Sequence, residues 1–122
     1  MTDIQAFADR YVAVWNEPDP AARRAAVDEL WAPDATEYTD TREHRGHAAL
    51  QERVRSSYDD LVAARGFRFH RDGPAHGHHG TVTFRTVMRP AVGGDVAWTG
   101  LVVARLDDDG RIREDHQFAL TP

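Results

Sequence analysis

The 122-residue chain contains no cysteine and no lysine. Without cysteine there is no disulfide framework and no thiolate metal site. Without lysine there is no Schiff-base catalysis; all 15 basic residues are arginine, a pattern of GC-rich coding. No run approaches the ~20 apolar residues of a membrane helix, and no signal-peptide core follows Met1, so a cytoplasmic protein is expected. Positive charge is also in deficit. The net charge of −5 argues against nucleic acid and anionic membrane partners.

What is present is enough for one globular domain over 1–122, with 41% hydrophobic residues. The first half has helical period. Thr2 and Gln5 fit a capping box, and Ile4, Phe7, Tyr11, Val14 and Trp15 form one stripe. Asn16-Glu17-Pro18 stops that helix. Asp19 and Pro20 suit the start of a second, with Ala22, Ala26, Val27, Leu30 and Trp31 as its stripe. Pro33 then blocks continuation, and a short strand carries Tyr38 and Asp40. A third helix is expected from about His47 to Arg65, on Leu50, Val54, Tyr58 and Leu61, with Gly66 as its stop.

The second half has strand period. Alternation marks strands around Phe67–His70, Val82–Met88, Val96–Leu106 and Arg111–Leu120. Gly93-Gly94, Asp108-Asp109-Gly110 and the 73–80 stretch read as turns, so consecutive strands should pair antiparallel. The expected class is α+β, with three N-terminal helices on one sheet face. The other face would carry Val87, Leu101, Val103, Ile112 and Phe118, which suits burial in a homodimer.

Four segments in order, RYVAVWN (10–16), LWAPDATEYTD (30–40), RGHAAL (45–50) and DGRIREDHQF (109–118), resemble the nuclear transport factor 2-like superfamily. That group includes ketosteroid isomerase and the SnoaL-like polyketide cyclases. The resemblance implies three helices on a strongly curved antiparallel sheet, forming a conical barrel with a pocket, usually in a homodimer. It implies Tyr11 as an oxyanion donor and Asp40 as general base, with Val102 where ketosteroid isomerase has its second oxyanion acid. Against the SnoaL-like cyclases, Gln117 stands at the acid/base position and Asp115 lies two residues earlier. Asp40, Arg113 and Asp115 are the residue types of the related epoxide hydrolases, although their spacing differs.

Alternation on the last strand puts Arg113, Asp115 and Gln117 on one face, toward the pocket, and Ile112, Glu114, His116 and Phe118 on the other. Trp15, Trp31, Tyr38, Phe84, Met88 and Trp98 are candidates for an apolar wall. On residue type alone, Asp40 beside Thr41 and Arg42 also suits a turn. Tyr11 and the other aromatics also suit a core. His76, His78 and His79 lack partners at metal-ligand spacing and read as a turn, with His78 a candidate donor at the pocket mouth. Asp107-Asp108-Asp109-Gly110 lacks the remaining ligands of a calcium loop. The expectation is a cofactor-free, metal-free pocket for a hydrophobic small molecule. It would serve an isomerase, cyclase or hydrolase using Asp40, Asp115, Tyr11 and His78, or a non-catalytic binding or dimerisation module.

Overall fold

Asp3 opens the first helix, because its carboxylate accepts from the N–H groups of Gln5 and Ala6 at 3.0 and 3.1 Å. The computed structural model describes residues 3–121, so Thr2 of the expected capping box lies outside the described residues. Gln5 does not turn back to the cap. Its amide clamps Ala75, accepting from the backbone N–H at 3.0 Å and donating to the carbonyl at 2.8 Å. Helix α1 (Ile4–Asn16) buries Phe7, Tyr11, Val14 and Trp15, the stripe expected from period. Helix α2 (Pro20–Leu30) begins as its sequence dictates: Asp19 accepts from the N–H of Ala22 at 3.2 Å, with Pro20 at the first position. Helix α3 (His47–Ser57) runs on as a π-helical segment, Tyr58–Ala64. Gly66, at φ +73°, ends it with its N–H on the carbonyl of Val62.

Trp31 is the first residue of strand β1 (Trp31–Tyr38), not the last of α2. The other strands are β2 (Glu43–Arg45), β3 (Phe67–His78), β4 (Thr81–Pro90), β5 (Trp98–Leu106) and β6 (Ile112–Ala119). They form one sheet in the order β2-β1-β6-β5-β4-β3. The β1–β6 pair is parallel and the rest are antiparallel, so the sheet is mixed. It curls around the helices without closing, so the expected conical barrel is open at its edges, β2 and β3.

Irregularities in pairing explain three departures from simple alternation. In β6, Arg105 pairs Glu114 while Leu106 pairs Ile112, which leaves Arg113 as one extra residue. That bulge reverses the face of everything before it. Ile112 is therefore fully buried in the core, not on the outer face, and Arg113 is exposed, not in the pocket. In β1, the pairing shifts between Trp31 and Thr36, and Pro33 and Asp34 bulge into solvent. In β3, the shift between Asp72 and His76 surrounds Gly73 at φ +86°. The 73–80 stretch is thus mostly strand. Its turn is only His79-Gly80, at φ +51° and +75°, as a tight two-residue hairpin requires. The glycines at 93 and 94 lie in a longer loop, and β5 starts at Trp98 rather than Val96. The turn at 107–110 is as expected, with Gly110 donating to the carbonyl of Asp107 at 2.9 Å.

Candidate functional site

Asp115 is a fully buried carboxylate on the inner face of β6. It needs hydrogen bonds to be tolerated there, and two aromatic side chains supply them. The Tyr11 hydroxyl donates to Oδ2 at 2.7 Å, and the Trp31 indole N–H donates to Oδ1 at 2.9 Å. Strand pairing places a second carboxyl beside it, because Glu37 of β1 is in register with Asp115 and is only 1% exposed. Arg53 of α3 donates from Nε to Glu37 Oε1 at 3.1 Å. Gln117, two residues along β6, ties the group together. Its amide donates to the Tyr11 oxygen at 2.7 Å and toward Glu37 at 3.4 Å, and its carbonyl lies 3.5 Å from Arg53 Nη2.

Two acids and one arginine cannot all be charged cheaply in such a place. Burial raises the Asp115 carboxyl well above the usual carboxylate range, and the Glu37 charge raises it further. The hydrogen bonds from Trp31 and Tyr11 oppose that rise. Burial raises Glu37 too, against the pull of Arg53. Burial and the two carboxyls push the Tyr11 phenol well up, so it stays neutral. Burial therefore favours a shared proton on the acid pair over two bare carboxylates.

The linkage to stability follows. An unfolded Asp releases its proton near pH ~4, whereas the folded chain holds it to higher pH. The contribution of this group is fully present below pH ~4 and is lost as pH rises through the folded-state value, at about 1.4 kcal/mol per unit of separation. Asp115→Asn keeps the hydrogen-bonding shape without the titration. Its urea-unfolding midpoint should gain on wild type steadily between pH 5 and pH 8. Parallel pH curves for the two proteins would show that Asp115 is ionised throughout.

Tyr11, Gln117 and Arg53 are the members of this cluster that line a cavity of about 300 Å³, at the small end for ligand pockets. Trp15, Phe69, Met88, Trp98 and Val102 supply its apolar wall, with Arg53, Ser57 and Thr86 as polar breaks. Gly100 shapes that wall: the Trp98 ring folds flat over it into space that a Cβ would fill. The indole N–H of Trp15 is buried without a hydrogen-bond partner among the described residues.

Of the expected site residues, Tyr11, Trp15, Met88, Trp98, Val102 and Gln117 line the cavity. Asp115 sits directly behind Tyr11. Trp31 and Phe84 are core residues beneath the wall, at 0% and 2% exposure. Tyr38 is on the opposite face of the sheet, stacked on His116 at 4.8 Å between ring centroids. Asp40 lies just past the end of β1, exposed, 3.4 Å from the N–H of Ala119. It does not line the cavity, because β1 ends at Tyr38 and the chain turns outward there. His78 is exposed at the hairpin tip against His79, away from the cavity.

Glu37 and Arg53 were not expected. Glu37 could have been found by period, since it alternates with buried Ala35 on β1. Arg53 could have been suspected because it lies beside Val54 and three and four residues from Leu50 and Ser57, all buried.

A family model described as SnoaL-like domain matches residues 8–115. Among solved structures, the chain is similar to a SnoaL-like family protein from Agrobacterium tumefaciens, provisionally described as an isomerase. The two are 26% identical, with a TM-score of 0.89 over 99% of this chain and 100% of that one. A protein from Sinorhizobium meliloti, provisionally described as a polyketide cyclase, is 18% identical, with a TM-score of 0.69 over 96% and 94%. A de novo designed protein with a curved β-sheet is 13% identical, with a TM-score of 0.74 over 98% and 88%. The last two likenesses concern the fold alone. No curated protein matches the chain.

Proposed function

The chain belongs to the SnoaL-like domain family, and from that premise we propose that its cavity binds an apolar small molecule and polarises one ligand oxygen by acid chemistry. The supporting observation is the Asp115–Tyr11–Gln117 chain, with 2.7 Å on each side of the phenol oxygen. When Asp115 carries its proton, it can donate to the Tyr11 oxygen, as Gln117 already does. Both lone pairs of that oxygen are then occupied, and the Tyr11 O–H is free to point at a ligand. As charge develops on a ligand carbonyl or epoxide oxygen, Tyr11 donates to it and Asp115 backs the donor. In a full transfer, the Tyr11 proton goes to the ligand oxygen and the Asp115 proton replaces it. Tyr11 is the catalytic residue in this reading and Asp115 a positioning residue.

Such polarisation serves an isomerase, a cyclase or a hydrolase, and the Agrobacterium tumefaciens neighbour carries a provisional description of the first kind. It needs no base at Asp40: in enolisation the α-proton goes to a solvent water while the carbonyl oxygen takes the Tyr11 proton. The test is α-proton exchange of an apolar ketone, 2-tetralone, followed by NMR in D₂O. Exchange faster than with heat-denatured protein is expected. Binding of 2-tetralone without faster exchange would favour the rival, a ligand-binding module without catalysis, for which the absence of any carboxylate on the cavity wall among the described residues speaks.

We also propose that the outer sheet face pairs with a second copy of the chain. Tyr38, His116 and Phe118 form a stacked aromatic row there, and Phe118 is 44% exposed beside half-buried Leu101. Phe118→Arg should convert a dimer to monomer in light scattering without loss of helical signal. A wild-type monomer at tens of micromolar would end the idea.

A further inference from the structure

Reading the cavity as a ligand site leaves Arg53 only half explained. It is the one charged side chain on the cavity wall among the described residues. Its guanidinium carbon lies 5.2 Å from the centroid of the Trp15 ring, held by the Glu37 bond at Nε and the long Gln117 contact at Nη2. A guanidinium carries five N–H donors, and these contacts occupy two. The side chain keeps 28% exposure and lines both this cavity and the surface groove beside Thr39 and His44. Neutralising Glu37 does not require the fork to reach the cavity wall.

A neutral apolar ligand seated against this fork would strip its water and leave donors unpaired, which is costly. A carboxylate would replace that water with two parallel charge-assisted bonds, the geometry a guanidinium fits best. The surrounding charge permits it. Glu37 and Arg53 cancel, and burial favours the neutral form of Asp115, so the cluster presents little net negative charge to an anion.

We infer that the ligand is an apolar carboxylate, with its carboxylate on the Nη groups of Arg53 and its body against Trp15, Phe69, Met88 and Trp98. The inference rests on the cavity being the ligand site. Gln117 reaches Arg53 with its carbonyl and Tyr11 with its amide. A ligand oxygen placed at Tyr11 therefore lies close to the carboxylate.

The experiment compares 3-phenylpropanoate with 3-phenylpropanamide, equal in shape and different in charge, by tryptophan fluorescence and NMR titration. The acid should bind about tenfold tighter, the scale of a charge-assisted bidentate pair. Arg53→Gln should bring the acid down to the amide while leaving the amide within about twofold. The double variant Arg53→Gln/Glu37→Gln serves if Glu37 without its partner prevents folding. An acid no tighter than the amide, or a preference that survives loss of Arg53, overturns the inference and leaves the ligand-site reading intact. Failure of both compounds to perturb Trp15 and Trp98 in the millimolar range overturns both.

Discussion

Trp31→Ala is expected to destabilise the protein by about 3–5 kcal/mol, the range for removing a fully buried tryptophan. Trp31 has no exposed surface, and its ring lies 5.5 Å from Tyr11 and 6.5 Å from Trp15 between centroids. The loss has a second part, because Asp115 Oδ1 would forfeit its indole donor in a place that water does not reach. Trp31→Phe separates the two parts. It keeps most of the volume and removes the N–H, so it should cost about 1–3 kcal/mol, the scale of one unsatisfied buried group. Urea unfolding near pH 7 measures both. Since a protonated carboxyl tolerates the loss better, the Phe variant should recover toward pH 4. Equal costs at both pH values would mean that the indole N–H matters little to Asp115.

Tyr11→Phe is expected to lower the enzyme-dependent exchange of 2-tetralone by about 10²–10³-fold, as loss of one oxyanion donor does elsewhere. The variant deletes the hydroxyl that joins Asp115 to the cavity and keeps the ring against Phe84 at 5.4 Å. Affinity for the ketone should change far less than the rate, because the donor matters most as charge develops. Asp115→Asn discriminates further. It presents an amide that donates to the Tyr11 oxygen at every pH, so it should retain activity and flatten the pH–rate profile on the alkaline side. A Tyr11→Phe protein as active as wild type would remove Tyr11 from the chemistry and end the proposed mechanism.

The fold was largely legible because its elements announce themselves locally. The α1 stripe, Asp19-Pro20 at the start of α2, Gly66 at the end of the third helix and the turn at 107–110 each depend on residues near in sequence. What could not be read is the pairing of strands distant in sequence. The parallel β1–β6 contact joins segments some eighty residues apart, and no local signal marks it. That contact alone brings Glu37 beside Asp115, so the acid pair was invisible while each acid was in plain view. Asp40 was misplaced for a related reason. It was located by alignment to a family motif, but β1 stops two residues short of it and the bulge at Pro33 and Asp34 has already altered the strand's facing. Tyr11 and Gln117 were found because helix period and strand period both reach them without crossing an irregularity.

The extra residue at Arg113 works as a phase shift in β6. Upstream of it the strand runs in one phase, with Ile112 turned inward; downstream it runs in the other, with Asp115 and Gln117 turned inward. Side-chain facing along this strand is thus a matter of parity. Removing Arg113 and drawing the following residues back by one place against β5 would bring His116 to the Asp115 position and Phe118 to the Gln117 position. The same sequence would then present its outward set to Tyr11, and the proton store of the cavity would face the opposite surface. One residue inserted or deleted in β6 thus exchanges the side chains that this strand turns toward Tyr11 while leaving the helices and the sheet order in place.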